Sequence, residues 1–108
     1  DALPILEKTG RVEFIVASPA TGRSWTVEPA DYLTPLQVKM MSTQPALIQR
    51  FAHYLGHRFR TRKQGDVAVY ARAYASLNGR RSRLLVDPRV DLTKQPISLR
   101  PKPWIQPL

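Results

Sequence analysis

The alternation between Asp66 and Leu77 constrains this chain more than any other feature. Val67, Val69, Ala71, Ala73 and Ala75 fall on one face of an extended strand, and Ala68, Tyr70, Arg72, Tyr74 and Ser76 on the other. Asn78-Gly79 follows at once. Between two β-like runs that dipeptide is a strong hairpin signal, because a type I′ turn needs positive φ at both central residues. A partner strand is predicted from about Arg81 to Val86, closed by Asp87-Pro88. The small side chains on one face leave room for a helix to lie close to the sheet.

Two further strands are predicted upstream. Val12, Phe14 and Val16 alternate with Glu13 over Arg11–Ser18, and Trp25 shares a face with Val27 over Arg23–Glu28. The loop Ser18-Pro19-Ala20-Thr21-Gly22 has hairpin length, and Pro29 ends the second strand. Thr34-Pro35-Leu36-Gln37 then opens a helix, with Thr34 as N-cap and Gln37 completing a capping box. Pro45 interrupts this helix and starts a second one, because an internal proline removes a hydrogen bond and clashes with the preceding turn. From Pro45 to about Arg62, Leu47, Ile48, Phe51, Ala52, Leu55 and Phe59 form one stripe at helical period.

The sum is an α+β fold. It is a small, mostly antiparallel sheet in ββ-αα-ββ order, with Leu47, Ile48, Phe51, Leu55 and Phe59 packed on Val67, Val69, Ala71 and Ala73. The expected organisation is a lead-in over residues 1–10, one domain over 11–95, and a proline-rich tail over 96–108. Trp104-Ile105 in the tail needs an apolar surface, on the domain or on another part of the same parent.

Length allows one domain and one modest core. The chain has no cysteine, which excludes disulfides, thiolate metal sites and thiol catalysis. No apolar run approaches the ~18 residues that span a bilayer. The first residue is Asp1, which suggests a mature form or a piece of something longer. The formal net charge is +9, and no Asp or Glu lies between Asp31 and Asp66 while Lys39, Arg50, Arg58, Arg60, Arg62 and Lys63 do. Such a balance favours anionic partners.

Several constellations carry potential chemistry. Asp87 and Asp91 flank Pro88-Arg89-Val90; a carboxylate pair can bind a cation or move protons, and equally can cap a turn and the following segment. His53 and His57 share a helix face, but no third ligand is near in sequence, and a solvated face is expected. Ser24, Ser76 and Ser82 lack the nucleophile-elbow pattern. Neither a catalytic nor a metal-ligating residue is therefore assigned. Arg58, Arg60, Arg62 and Lys63 at the end of the second helix, with Arg80, Arg81 and Arg83 after the turn, are candidate anion-binding groups. Tyr70, Arg72 and Tyr74 can make a stacking strip if that sheet face is open. A free-standing basic nucleic-acid-binding module is thus an alternative reading, although no nucleic-acid-binding signature is present.

Three short motifs occur in order: Ser76-Leu77-Asn78-Gly79-Arg80, Asp87-Pro88-Arg89-Val90-Asp91-Leu92 and Trp104-Ile105-Gln106-Pro107-Leu108. Together they resemble the C-terminal soluble part of vitamin K-dependent γ-carboxylases and their bacterial homologues, the horizontally transferred transmembrane (HTTM) domain proteins. Thr21-Gly22 before Trp25, Tyr32-Leu33-Thr34 with Gln37, and Pro45 before Phe51-Ala52 also fit the bacterial pattern. The resemblance singles out Ser76, Asn78, Gly79, Arg80, Asp87, Pro88, Arg89, Asp91, Trp104 and Pro107 as motif residues. It implies a parent whose membrane-embedded part carries the chemistry, using reduced vitamin K, oxygen and carbon dioxide. The present segment needs no cofactor on that reading. It would lie outside the bilayer, on the lumenal or periplasmic side, as an accessory domain. Its partners would be the parent's own membrane domain and an anionic lipid surface or an acidic protein substrate, with nucleic acid less favoured.

Overall fold

The computed structural model describes residues 8–60, 65–78, 80–95 and 104–105. The motif residues Gly79 and Pro107 and the basic residues Arg62 and Lys63 lie outside that set, as does most of the proline-rich tail. The architecture is α+β, as the pattern predicts. Strands β1 (Lys8–Ser18) and β2 (Arg23–Val27) form a hairpin, helices α1 (Pro35–Met41) and α2 (Pro45–Phe59) follow, and strands β3 (Ala68–Leu77) and β4 (Arg83–Leu84) complete one four-stranded antiparallel sheet.

Chain order does not carry over into the sheet. The spatial order is β2-β1-β3-β4, because the helical crossover returns the chain along the far side of β1. The two long strands, β1 and β3, take the centre and pair along their length from Lys8↔Leu77 to Ala17↔Ala68. The short strands form the edges, where less unpaired backbone is left open. Two 3-10 turns that the pattern did not predict, Pro29–Asp31 and Leu92–Lys94, sit at the ends of connections.

Local sequence explains the helices. Thr34 Oγ1 accepts the Gln37 N–H at 3.2 Å while Gln37 Oε1 accepts the Thr34 N–H at 2.9 Å, so the capping box forms as expected. Pro45 stands at the first turn of α2 and starts a separate helix. That helix ends at Phe59, short of the predicted Arg62, with Arg60 as C-cap.

The core lies between the helices and one sheet face. Phe14, Val16, Ile48, Ala52, Leu55, Val69, Ala71 and Ala73 are fully enclosed. Each buried Phe, Ile, Leu or Val contributes roughly 1.5–3 kcal/mol. Phe14 packs on Phe51 with ring centroids 5.0 Å apart, and Trp25 on Phe59 at 5.5 Å. Leu47 and Phe59, expected in the core, are only half-buried at its border.

Two local readings change. Gly10, which falls in the expected lead-in, lies inside β1 opposite Ala75, because the strand begins three residues earlier than the alternation suggested. A Cβ at Gly10 would run into the backbone carbonyl of Ser42, so only glycine lets the α1–α2 connection rest there. At the β3–β4 turn, Asn78 has φ 53° and the Arg80 N–H donates to the Leu77 carbonyl at 3.1 Å. A two-residue loop closed by that pair would set Tyr74 opposite Arg83. The sheet instead pairs Tyr74 with Leu84 and Ala75 with Arg83, so β4 carries one extra residue before pairing begins, and Arg81 is not yet strand.

Candidate functional site

The carboxylate pair is held apart by two separate structural tasks. Asp87 folds onto its own loop: its Oδ1 accepts the Arg89 N–H at 2.9 Å and the Arg89 Nε–H at 3.1 Å, and its Oδ2 accepts from Nη2 at 3.1 Å. The side-chain hydrogen bond from Arg89, then the backbone one, hold the Asp87 carboxyl below the ordinary aspartate value of 3.8; the same contact raises the Arg89 guanidinium. Pro88 fixes the intervening turn. Asp91 faces the other way. Its Oδ1 accepts the Val69 N–H at 3.0 Å, the Thr93 N–H at 3.0 Å and the Thr93 hydroxyl at 2.7 Å. It thereby caps the turn Leu92–Lys94 and serves a β3 amide beyond the stretch that β4 covers.

The C-terminal motif joins this corner. Trp104 is buried, its carbonyl accepts the Asp87 N–H at 2.8 Å, and Ile105 forms an antiparallel bridge with Val86. Asp87, Pro88, Arg89, Asp91 and Trp104 are therefore gathered in one place, while Ser76, Asn78 and Arg80 lie at the opposite end of β3.

The histidines are not a matched pair. His53 Nε2 donates to the Gln95 carbonyl at 2.9 Å, an acceptor shared with Gln49 Nε2 at 2.8 Å, whereas His57 is exposed. No group of three His, Cys, Asp or Glu side chains capable of holding a metal occurs among the described residues. On the open sheet face, Arg72 lies across from Glu13 and donates to it at 3.3 Å. That pairing takes the guanidinium out of the tyrosine strip, of which Tyr70 is half-buried and Tyr74 exposed.

Sequence reasoning missed a groove between α1 and α2. It has a volume of about 320 Å³. Leu33, Met40 and Met41 line it from α1 and the residues before it, and Leu47, Phe51 and Tyr54 from α2, with Gln37 and Arg50 as the polar lining groups. Phe51 stacks on Tyr54 at 5.7 Å and meets Tyr32 at 6.1 Å, so the apolar lining is continuous with the core. The Arg58 guanidinium lies 5.3 Å over the Tyr32 ring. Next to the groove Leu36 is 66% exposed, Met40 50% and Tyr54 44%. The signal was available: Leu36, Val38, Met40 and Met41 are spread around one short helix, which cannot bury them all. The basic residues divide as well. Arg60 approaches Asp66 at 3.8 Å, while Arg80, Arg81 and Arg83 surround a second cavity beside the β3–β4 turn.

The model of the vitamin K-dependent gamma-carboxylase lumenal-domain family matches residues 3–108. The chain belongs to that family. The HTTM domain, named in the initial resemblance, is a different domain from the one matched. No curated protein and no solved structure matches the chain. Membership in a lumenal-domain family supports an extramembrane, extracytoplasmic domain associated with a carboxylase. None of the helices among the described residues is long and apolar enough to cross a membrane.

Proposed function

We propose that this lumenal-family domain is a non-catalytic docking module of a gamma-carboxylase-like membrane protein, and that its α1–α2 groove holds an apolar segment of an acidic protein substrate. The observation that carries this reading is the groove itself: exposed Leu36, Met40 and Tyr54 around an apolar lining, on a stretch that contains no acidic residue from Tyr32 to Gly65. An apolar side chain of the substrate would enter between Met40 and Tyr54. Arg50 in the lining would attract flanking carboxylates. Substrate capture of this kind lowers KM without contributing to the chemical step.

Reduced vitamin K and carbon dioxide belong, on this reading, to the parent's membrane-embedded part. The groove does not fit their chemistry. Among the described residues its lining offers no carboxylate, imidazole or amine that would take a proton from a glutamate γ-carbon.

The test is kinetic. In the full-length parent, L36S/M40S should raise KM for a protein substrate about tenfold, the effect of about 1.4 kcal/mol of lost binding. Turnover of a short glutamate-containing peptide should stay unchanged. An equal loss on both substrates, or none on either, would refute the docking role.

A further inference from the structure

Beyond the groove, and independent of it, lies the second cavity. It has a volume of about 260 Å³ and is lined by Ala75, Ser76, Leu77, Arg80, Arg81 and Arg83. We propose that this cavity is a phosphate-binding site, taking either the phosphodiester of a lipid headgroup or a free phosphate group.

Three observations converge. First, among the described residues the lining contains three arginines and no carboxylate. Four arginines elsewhere are engaged, Arg89 by Asp87, Arg72 by Glu13, Arg60 by Asp66 and Arg58 by the Tyr32 ring, while Arg11, Arg23 and Arg50 make no such contact among the described residues. Arg80, Arg81 and Arg83 have no side-chain ion pair or hydrogen bond among the described residues. Three like charges line one cavity with no acidic group in that lining among the described residues, and an anion would offset their repulsion. Second, guanidinium is the group best suited to a tetrahedral oxyanion, because its planar fork donates two parallel hydrogen bonds. Third, the site is concave and mixed. Ser76 brings a hydroxyl, which shares a 2.8 Å hydrogen bond with Thr9 Oγ1. Half-buried Leu77 supplies apolar surface that suits the carbon attached to a phosphodiester.

The backbone explains why the arginines meet. The extra residue in β4 delays pairing until Arg83, which lies opposite Ala75, so Arg80 and Arg81 leave the turn before the ladder starts. A simple two-residue hairpin would have placed them in register along the strand.

Calorimetric titration of the chain at low ionic strength tests the site. Inorganic phosphate should bind saturably at one site, and chloride at equal ionic strength should not. R81Q/R83Q should weaken phosphate binding at least tenfold, while R23Q/K39Q, which removes the same charge elsewhere, should leave it unchanged. R81K/R83K keeps the charge but loses the fork, and should fall between the two. Soluble short-chain phosphatidylglycerol separates the sources: tighter binding than inorganic phosphate assigns the site to lipid, and weaker binding assigns it to a free phosphate. Equal affinity of R81Q/R83Q and R23Q/K39Q, binding to a mixed oligonucleotide alone, or no saturable phosphate binding by the unsubstituted chain would overturn the proposal.

Discussion

The two ends of β3 handle charge in opposite ways. At the Val69 end, Asp91 satisfies a strand amide, a turn amide and a hydroxyl, and neighbouring Asp87 is locked to Arg89. At the Leu77 end, Arg80, Arg81 and Arg83 line a cavity with no carboxylate in its lining among the described residues. One strand therefore carries a closed, structural corner and an open, basic one. The motif that looks most catalytic, two carboxylates around a proline, holds the fold together. The basic run after the turn, a candidate for anion binding by sequence, is the better candidate for binding.

Substitutions can break this contrast, and the largest effect belongs to the closed end. Asp91→Ala leaves the Val69 N–H without its acceptor and removes the cap from the turn, a loss we expect to be roughly 3 kcal/mol. Urea denaturation would register it as a lower midpoint with an unchanged slope. Gly10→Ala comes next. It forces a methyl group against the Ser42 carbonyl at the open end and should cost about 2 kcal/mol in the same assay. R81Q/R83Q should be close to neutral, within about 0.5 kcal/mol, because these side chains are exposed and unpaired among the described residues. A large loss there would mean that the basic end is structural too.

The smallest effect concerns pH. The Asp87 carboxyl is held below its ordinary value of 3.8 in the folded chain. Its pairing with Arg89 therefore contributes stability that is fully present above 3.8 and is lost as pH falls through the lowered value. Asp87→Asn should flatten this acid limb slightly and leave stability at neutral pH little changed. Carbon-detected NMR titration of the Asp87 carboxyl would show the depressed midpoint directly.

Much of the fold was legible because its signals are local. The Thr34–Gln37 capping box, the break at Pro45 and the alternation through β3 each need only a few neighbouring residues to act. The features that were hidden depend on distant partners. Gly10 falls in the expected lead-in, and only the fold brings Ser42, far along the chain, to rest on it. Asn78-Gly79 announces a turn, but the register beyond it is set by pairing at Tyr74↔Leu84. Leu47 falls on the helical stripe, yet α1 leaves it in the lining of a groove. The candidate site was legible in composition alone: the arginines were visible, while the cavity uniting three of them required the fold.

Mapping a phosphate titration on the NMR signals of arginine Nε and backbone amide groups tests the contrast between the two ends of β3 most directly. The account predicts saturable shifts at Arg80, Arg81 and Arg83, with Val69, Asp91 and Thr93 unmoved. Shifts centred on Asp87 and Asp91, or spread evenly over every exposed arginine, would contradict it.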